Sequence, residues 1–341
     1  MSDTVVHVVA AAIFNDQGQV LLARRPAHVH QGGLWEFPGG KLEPGETVTG
    51  ALVRELDEEL GIMPAGQRPL LRIRHDYPDK SVLLDVWRID AFRSTNAANH
   101  SELKQLTGRE GQPLCWVAPD ALAAYAFPAA NRAIVHALRL PSRYLITPES
   151  GDDAGAFLNT LRQALAQGMK LVRLRAGHLD RSAYTDLAQQ VQTLCHDVQA
   201  SLLLSGDDVG FVADSVTAVG ADGLHLSSRQ LLGLSQRPVA DDVWLAASCH
   251  DSREIEQACA LGVDFITVSP LLPTRSHPQA RPLGWAQFQS LVEQASMPVY
   301  GLGGLNAAHI ERVWRCGGQG IAAISSLWGQ RMDQKTSPSR Q

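Results

Sequence analysis

The stretch Gly40-Lys41-Leu42-Glu43-Pro44-Gly45-Glu46-Thr47, continued by Arg54-Glu55-Leu56-Asp57-Glu58-Glu59-Leu60-Gly61-Ile62, decides how the first part of the chain is read. Apolar residues at helical spacing, Thr47 as a suitable N-cap and Gly61 where a left-handed C-cap belongs predict a helix over 47–60. On that helix Glu55, Glu58 and Glu59 stand at i, i+3 and i+4, so their carboxylates share one face about one turn long. Like charges held this close repel, and a hard divalent cation offsets the repulsion. Mg²⁺, with Mn²⁺ as a substitute, favours carboxylate, carbonyl and water oxygens together with substrate phosphates. The plain alternative is a solvated acidic surface, the usual meaning of a charge run. Gly39 and Gly40 precede the helix in Glu36-Phe37-Pro38-Gly39-Gly40-Lys41 and give the backbone freedom to bring a carbonyl close to a metal.

Outward from this helix, β-rich runs at 5–14, 18–25, 70–75, 81–91 and 113–117, with a second helix at 130–138, predict an α+β domain over 1–138: a mixed sheet with flanking helices. Residues 139–142 read as a linker. A different rhythm then begins, with strand-like runs at 143–147, 171–175, 201–205, 223–227, 244–248, 265–269, 299–303 and 320–325. Segments such as 154–167 and 181–197 suit amphipathic helices between them. Eight β/α units over 143–328 predict a compact α/β domain, a (β/α)₈ TIM barrel. The polar end, 329–341, reads as a disordered tail. Two domains also suit a length of 341 residues.

Lys and Arg number 30 against 35 Asp and Glu, a formal net charge of -5. This disfavours a broad nucleic-acid or anionic-membrane surface. A hydrophobic share of 45% excludes disorder or a fibre as the main state. Five widely spaced cysteines with no C-x-x-C pair signal neither a disulfide framework nor a zinc knuckle, so a reducing, cytoplasmic home is the default expectation. The run 5–14 contains His7 and lacks a basic flank, which makes it a first strand rather than a signal peptide, and no apolar run has the length of a membrane span.

The whole spacing from Gly40 to Ile62 resembles the signature of the Nudix hydrolases, which implies metal-dependent substitution at phosphorus by water. The resemblance implies metal ligation by Glu55, Glu58 and Glu59 and by a carbonyl that maps to Gly39 or Gly40. Across 1–138 the pattern is most similar to the MutT branch of that family, the 8-oxo-dGTP diphosphatases. Three stretches carry this: Leu34-Trp35-Glu36-Phe37-Pro38-Gly39-Gly40-Lys41, Gly108-Arg109-Glu110-Gly111-Gln112-Pro113 and Phe127-Pro128-Ala129-Ala130-Asn131. They imply Glu110 as an additional carboxylate and Asn131 as the reader of the oxidised base, whose 6-oxo and N7-H edge an amide can pair as donor and acceptor. Asn131 has a local alternative as the N-cap of the last helix. Arg25, Phe37 and Asp79 fall at pocket positions of that branch. The general base is left open between Glu110 and a glutamate of the helix.

Residues 143–328 resemble the thiamine phosphate synthase and TenI family. Gly301-Leu302-Gly303-Gly304-Leu305-Asn306 and Gly320-Ile321-Ala322-Ala323-Ile324-Ser325-Ser326 match its phosphate-binding arrangement, with tight-turn glycines as the plain alternative. Val172-Arg173-Leu174-Arg175 resembles its pyrophosphate-binding strand, but the lysine expected two places later is Gly177. Asp207 matches one of two magnesium-binding aspartates, and the second falls on Gln230. Pro273-Thr274-Arg275-Ser276-His277 resembles a phosphate-gripping loop with His277 in place of its basic residue, and Ser248-Cys249-His250 matches a shared Ser-x-His. The histidine of the tautomerase subfamily falls on Pro270. Asp207, Asp208 and His250 also read as ordinary loop residues.

The resulting expectation is an 8-oxo-dGTP pyrophosphohydrolase joined to a barrel that takes a thiazole or pyrimidine phosphate. The alternatives are a bifunctional thiamine-pathway enzyme and a barrel that only regulates or dimerises. Oligomeric state is left open.

Overall fold

A computed structural model describes residues 5–26, 31–77, 81–95, 106–151, 153–274 and 279–329. Asp79, Arg275 to His277 and the stretch 330–341 lie outside the described residues.

Strand β1 (Val5–Ile13) organises the first domain. Successive side chains of a strand point to opposite faces. Val9, Ala11 and Ile13 pack with Leu52, Leu56 and Leu60 of helix α1 (Val48–Leu60), whereas Ala10 and Ala12 join Ile134, Val135 and Leu138 of helix α2 (Arg132–Arg139). Being covered on both faces explains why β1 is a continuous apolar run. It pairs in parallel with β5 (Ser81–Ser94), which pairs antiparallel with β4 (Ile62–Asp76). A second sheet runs β3-β2-β6, from β3 (Trp35–Glu36), β2 (Val20–Arg24) and β6 (Leu114–Val117). Strand β4 begins directly after Gly61, well before the expected 70, because register shifts at Pro64/Gly66 and Pro69/Leu71 let it carry two prolines.

The second domain is a closed barrel of eight parallel strands in the order β10-β11-β12-β13-β14-β7-β8-β9. The strands are β7 (Arg143–Ile146), β8 (Leu171–Arg175), β9 (Ser201–Ser205), β10 (Gly223–Leu226), β11 (Trp244–Cys249), β12 (Phe265–Val268), β13 (Val299–Leu302) and β14 (Gly320–Ala323). All eight lie where the sequence places them. Helices α3 (Ala154–Ala166), α4 (Arg181–His196), α5 (Val209–Val219), α6 (Ser228–Gly233), α7 (Ser252–Leu261), α8 (Gly284–Val292) and α9 (Ile310–Arg315) complete the units. Aspartate caps start α3, α4, α5 and α7, through Asp153, Asp180, Asp208 and Asp251.

Arg139 closes α2 and Leu140 is buried. Among the described residues no helix is long and apolar enough to cross a membrane, and all five cysteines are free thiols.

Candidate active site

The Thr47 hydroxyl accepts from the Gly50 amide at 3.1 Å, and Gly61 ends α1 at φ 66°. Both predicted caps therefore hold, and α1 buries Ala51, Leu52, Leu56 and Leu60, leaves Glu58 exposed and keeps Glu55 and Glu59 partly buried. The loop before it is stitched to β1: the Val9 amide donates to the Gly40 carbonyl and the Ala11 amide to the Pro38 carbonyl, each at 2.8 Å. Gly39 sits at φ 144°, and its amide donates to the Glu59 carboxylate at 3.1 Å. Gly40 leaves room for Glu55, because a Cβ there would lie 2.3 Å from the Glu55 carboxylate.

Glu59 is the electrostatic centre. Burial, together with the negative charges of Glu36, Glu55 and Glu110, pushes its carboxyl up to about 8, against the lowering effect of the Gly39 amide. Three other acids, Glu36, Glu55 and Glu110, thus make their charge felt at Glu59 beside the glycine loop, and carboxylates are the donors a hard cation prefers. Glu36 was not singled out as a site residue from sequence. Desolvation raises its carboxyl despite an ion pair with Arg25. That pair ties Arg25, expected at the substrate pocket, to the carboxylate group instead of leaving it as a lone surface cation.

Arg54 holds the rest of the cluster. Its guanidinium donates to Glu46 at 3.0 and 3.1 Å, to Glu55 at 2.8 Å, to Glu58 at 3.2 Å and to the Lys41 carbonyl at 3.0 Å. With Glu55 and Glu58 drawn to Arg54, no three His, Cys, Asp or Glu residues form a ready-made cation site among the described residues. Arg109 anchors the loop that carries Glu110. Its backbone amide donates to the Glu59 carbonyl at 2.8 Å and its guanidinium to the Asp57 carbonyl at 2.8 Å, satisfying exposed carbonyls at the helix end.

On the other side of the loop, Phe37 is buried and stacks on Phe127 with centroids 5.6 Å apart, and Trp35 meets Tyr125 edge-on at 5.6 Å. These contacts fasten the segment 125–128 that leads to Asn131. Asn131 is 9% exposed, adopts helical backbone angles and makes no capping hydrogen bond through its side chain. Asn131 thus stands at the N-cap position of α2 without capping it through its side chain, since a side-chain cap needs extended backbone angles.

The carboxylate group has a consequence for proton uptake. In the unfolded chain Glu59 titrates near 4.5; in the folded protein it keeps its proton to about 8. Between those values the folded state holds the extra proton, so stability of the metal-free protein declines as pH rises through that window and levels off above it. A cation requires the ionised form, so Mg²⁺ binding at pH 7 should release close to one proton, and almost none at pH 9. Calorimetric titration in buffers of different ionisation enthalpy measures this, and a buffer-independent heat at pH 7 would contradict the assignment.

In the barrel, the expected residues gather at the C-terminal ends of the strands, the end where such barrels bind ligands. Arg175 closes β8 and pairs with Glu149 at 2.9 Å. Asp207 follows β9, and its carbonyl accepts from the Gln230 side chain at 3.0 Å. Asp208 caps α5, and the His250 ring lies 2.9 Å from the Glu254 carboxylate. Gly303 and Gly304 have φ values of 102° and 69°; Cβ atoms there would meet Pro270 at 2.9 Å and the Pro273 carbonyl at 2.5 Å, so the loop carrying Thr274 lies against the glycine turn. Ser325 is exposed, and the Ser326 hydroxyl donates to the Leu305 carbonyl at 2.7 Å.

The family model described as NUDIX domain matches residues 9–137, and the one described as Thiamine monophosphate synthase matches 143–327. The chain is 32% identical over 134 residues to the 8-oxo-dGTP diphosphatase of Escherichia coli (strain K12), covering 39% of this chain and 96% of that protein. It is 37% identical over 129 residues to the CTP pyrophosphohydrolase of the same organism, covering 38% and 88%. Its second part is 28% identical over 190 residues to the thiamine-phosphate synthase of Syntrophomonas wolfei subsp. wolfei, covering 55% and 88%.

Proposed function

The chain belongs to the NUDIX family through residues 9–137 and to the thiamine monophosphate synthase family through 143–327, and on that premise we propose that its first domain hydrolyses 8-oxo-dGTP to 8-oxo-dGMP and pyrophosphate. Both families act on small phosphate-bearing molecules. The observation that carries the reading is Glu59, held among Glu36, Glu55 and Glu110 beside the Gly39 amide.

Glu55, Glu58, Glu59, Glu110 and the Gly39 carbonyl would hold Mg²⁺ or Mn²⁺, which supplies charge neutralisation for the polyphosphate and acidifies the attacking water. The protein's own part is placement. Arg54 fixes Glu46, Glu55 and Glu58 relative to the glycine loop, and Arg109 brings Glu110 to the end of the same helix. Water's oxygen bonds to phosphorus, the phosphoanhydride bond breaks, pyrophosphate leaves, and the carboxylates around Glu59 take up the water's proton.

Base choice rests on Asn131, whose amide can donate to the 6-oxo group and accept from N7-H. Ordinary guanine has no N7-H, so it leaves that acceptor unpaired in a buried place, which discriminates against it. Such a protein would cleanse the nucleotide pool and limit mutation during DNA replication, in the cytoplasm.

Steady-state hydrolysis of 8-oxo-dGTP, dGTP and CTP, with Mg²⁺ and then with chelator, tests the reading. The expected result is a Mg²⁺-dependent preference for 8-oxo-dGTP over dGTP that falls at least tenfold in Asn131→Ala, with little change in the Mg²⁺ requirement. Preference for CTP, or an unchanged ratio in the variant, would remove Asn131 from base recognition. The barrel, on the same proposal, binds a small phosphorylated molecule such as a thiazole or pyrimidine phosphate, near Gly303, Gly304, Thr274, Ser325 and Ser326.

A further inference from the structure

The barrel's family resemblance implies a magnesium-held pyrophosphate, and the residues present do not fit that cation. Of the two carboxylates the site would need, only Asp207 is present. At the second position stands Gln230, whose side chain is fully committed. Its Nε2 donates to the carbonyls of Gly206 at 2.7 Å and Asp207 at 3.0 Å, and its Oε1 accepts from the amide and hydroxyl of Ser227 at 2.8 and 2.9 Å. The amide thus ties the turn after β9 to the start of α6 by four hydrogen bonds. A neutral amide donating into this turn occupies carbonyls that could otherwise face a cation, and it brings no negative charge.

Positive charge is supplied instead by a side chain. Arg173 stands in the middle of β8, two residues before Arg175, and therefore on the same face of the strand. Its Nε donates to the Ser205 hydroxyl at 3.0 Å, and Ser205 in turn donates to the Leu174 carbonyl at 2.8 Å. Among the described residues no carboxylate forms an ion pair with it. The acid whose charge it feels, Glu149, already has one oxygen on Arg175 at 2.9 Å and the other on His178 at 3.0 Å.

Besides Glu149, Arg173 feels the like charge of Arg175 and the phenols of Tyr144 and Tyr184. Tyr144 and His225 are buried and joined at 3.0 Å, and the second ring nitrogen of His225 lies 2.9 Å from the Ser248 hydroxyl. Burial holds the His225 ring well below its ordinary value and the Tyr144 phenol well above its own, so neither carries a charge near neutrality that could balance the arginine. Arg173 itself, lowered by burial to about 10, remains charged. Arg173 is partly buried, with one hydroxyl for its Nε and no carboxylate paired to it, so its terminal fork can meet an anion. Its planar fork suits phosphate or pyrophosphate oxygens bidentately.

We propose that the barrel binds the anionic end of its ligand without a divalent cation, with Arg173, which no carboxylate neutralises, as the counter-charge and Gln230 closing the place a magnesium ligand would take. The proposal rests on the reading of the barrel as a binder of a phosphorylated molecule.

Inorganic pyrophosphate is the probe, titrated by calorimetry into the full chain carrying Glu59→Gln, so that the first domain's cation site does not contribute. With EDTA present, binding is expected with unchanged affinity relative to a Mg²⁺-containing buffer, and Arg173→Met is expected to weaken it at least tenfold. Arg173→Met should also leave the ligand-free melting temperature equal or higher, since it keeps the stem and removes the unbalanced charge, whereas a purely structural arginine would lower it. Should Arg173→Met fail to fold, Arg173→Gln in the same titration replaces it, with the same tenfold loss expected. Binding that requires Mg²⁺, or that survives loss of the Arg173 charge, would overturn this inference and leave the phosphate-binding reading standing. Absence of binding in both buffers would overturn both.

Discussion

Replacing Glu59 by glutamine is expected to lower nucleotide hydrolysis by at least about a hundredfold, the order seen when one charge-stabilising group is withdrawn from a reacting centre. The change is nearly isosteric, and the glutamine oxygen can still accept from the Gly39 amide, which lies 3.1 Å from the carboxylate. What it removes is a negative charge at the position where the charges of Glu36, Glu55 and Glu110 are felt. Because the wild-type carboxyl stays protonated to about 8 without metal, a neutral amide imitates the stored form at neutral pH. The metal-free variant should therefore melt no lower than wild type at pH 7 and higher at pH 9, where the wild-type group is forced to ionise in a poor environment. Its Mg²⁺-induced rise in melting temperature should shrink. Glu58→Gln makes the comparison sharper: Glu58 is 58% exposed and touches Arg54 at 3.2 Å, so its replacement should cost activity with little change in melting temperature at pH 7. Retained hydrolysis with normal Mg²⁺ dependence in Glu59→Gln would end the proposed mechanism.

What the sequence discloses here depends on how local the cause is. The caps of α1 are local, since Thr47 and Gly61 act within a few residues of themselves, and both are legible. The barrel strands are legible because burial on both faces leaves short apolar runs between helices. Strand β4 is not, since Pro64 and Pro69 argue against a strand until the register shifts beside them are known. The two-residue β3 is too short to leave a periodic signal. In the site, the spacing of Glu55, Glu58 and Glu59 is a property of one helix. Glu36, paired with Arg25 eleven residues upstream, joins them through its charge at Glu59, and Arg109 matters through a helix end some fifty residues away. Neither contact leaves a local trace, although Glu36 lies in the glycine loop and Arg109 directly precedes Glu110. Arg173 stands in a stretch that the sequence already marks as resembling a pyrophosphate-binding strand, but its lack of a paired carboxylate is visible only in the fold.

The loop that separates Glu36 from α1 makes a second large effect predictable. Gly39→Ala is expected to destabilise the first domain by about 2 to 4 kcal/mol, from the combination of a disfavoured backbone conformation and a clash that cannot relax. At φ 144° the new Cβ would stand 2.1 Å from the Val9 carbonyl oxygen and 2.9 Å from the Ala10 Cα. Both atoms belong to β1, which is packed on two faces, and the hydrogen bonds from Val9 and Ala11 on either side of Gly39 prevent the loop from backing away. Two other substitutions separate the causes. Gly45→Ala carries a positive φ of 83° with nothing within 4 Å of the new atom, so it should cost only the conformational part, about 1 kcal/mol. Gly40→Ala puts its Cβ 2.3 Å from the Glu55 carboxylate, the far end of a side chain that can swing, so its stability cost should be small and its loss of hydrolysis large. Denaturant midpoints and hydrolysis rates for the three variants should then rank differently: Gly39→Ala lowest in stability, Gly40→Ala low in rate but near wild type in stability, and Gly45→Ala close to wild type in rate. Equal midpoints for Gly39→Ala and Gly45→Ala would mean that the loop yields to the clash and is not what fixes the Gly39 amide beside Glu59.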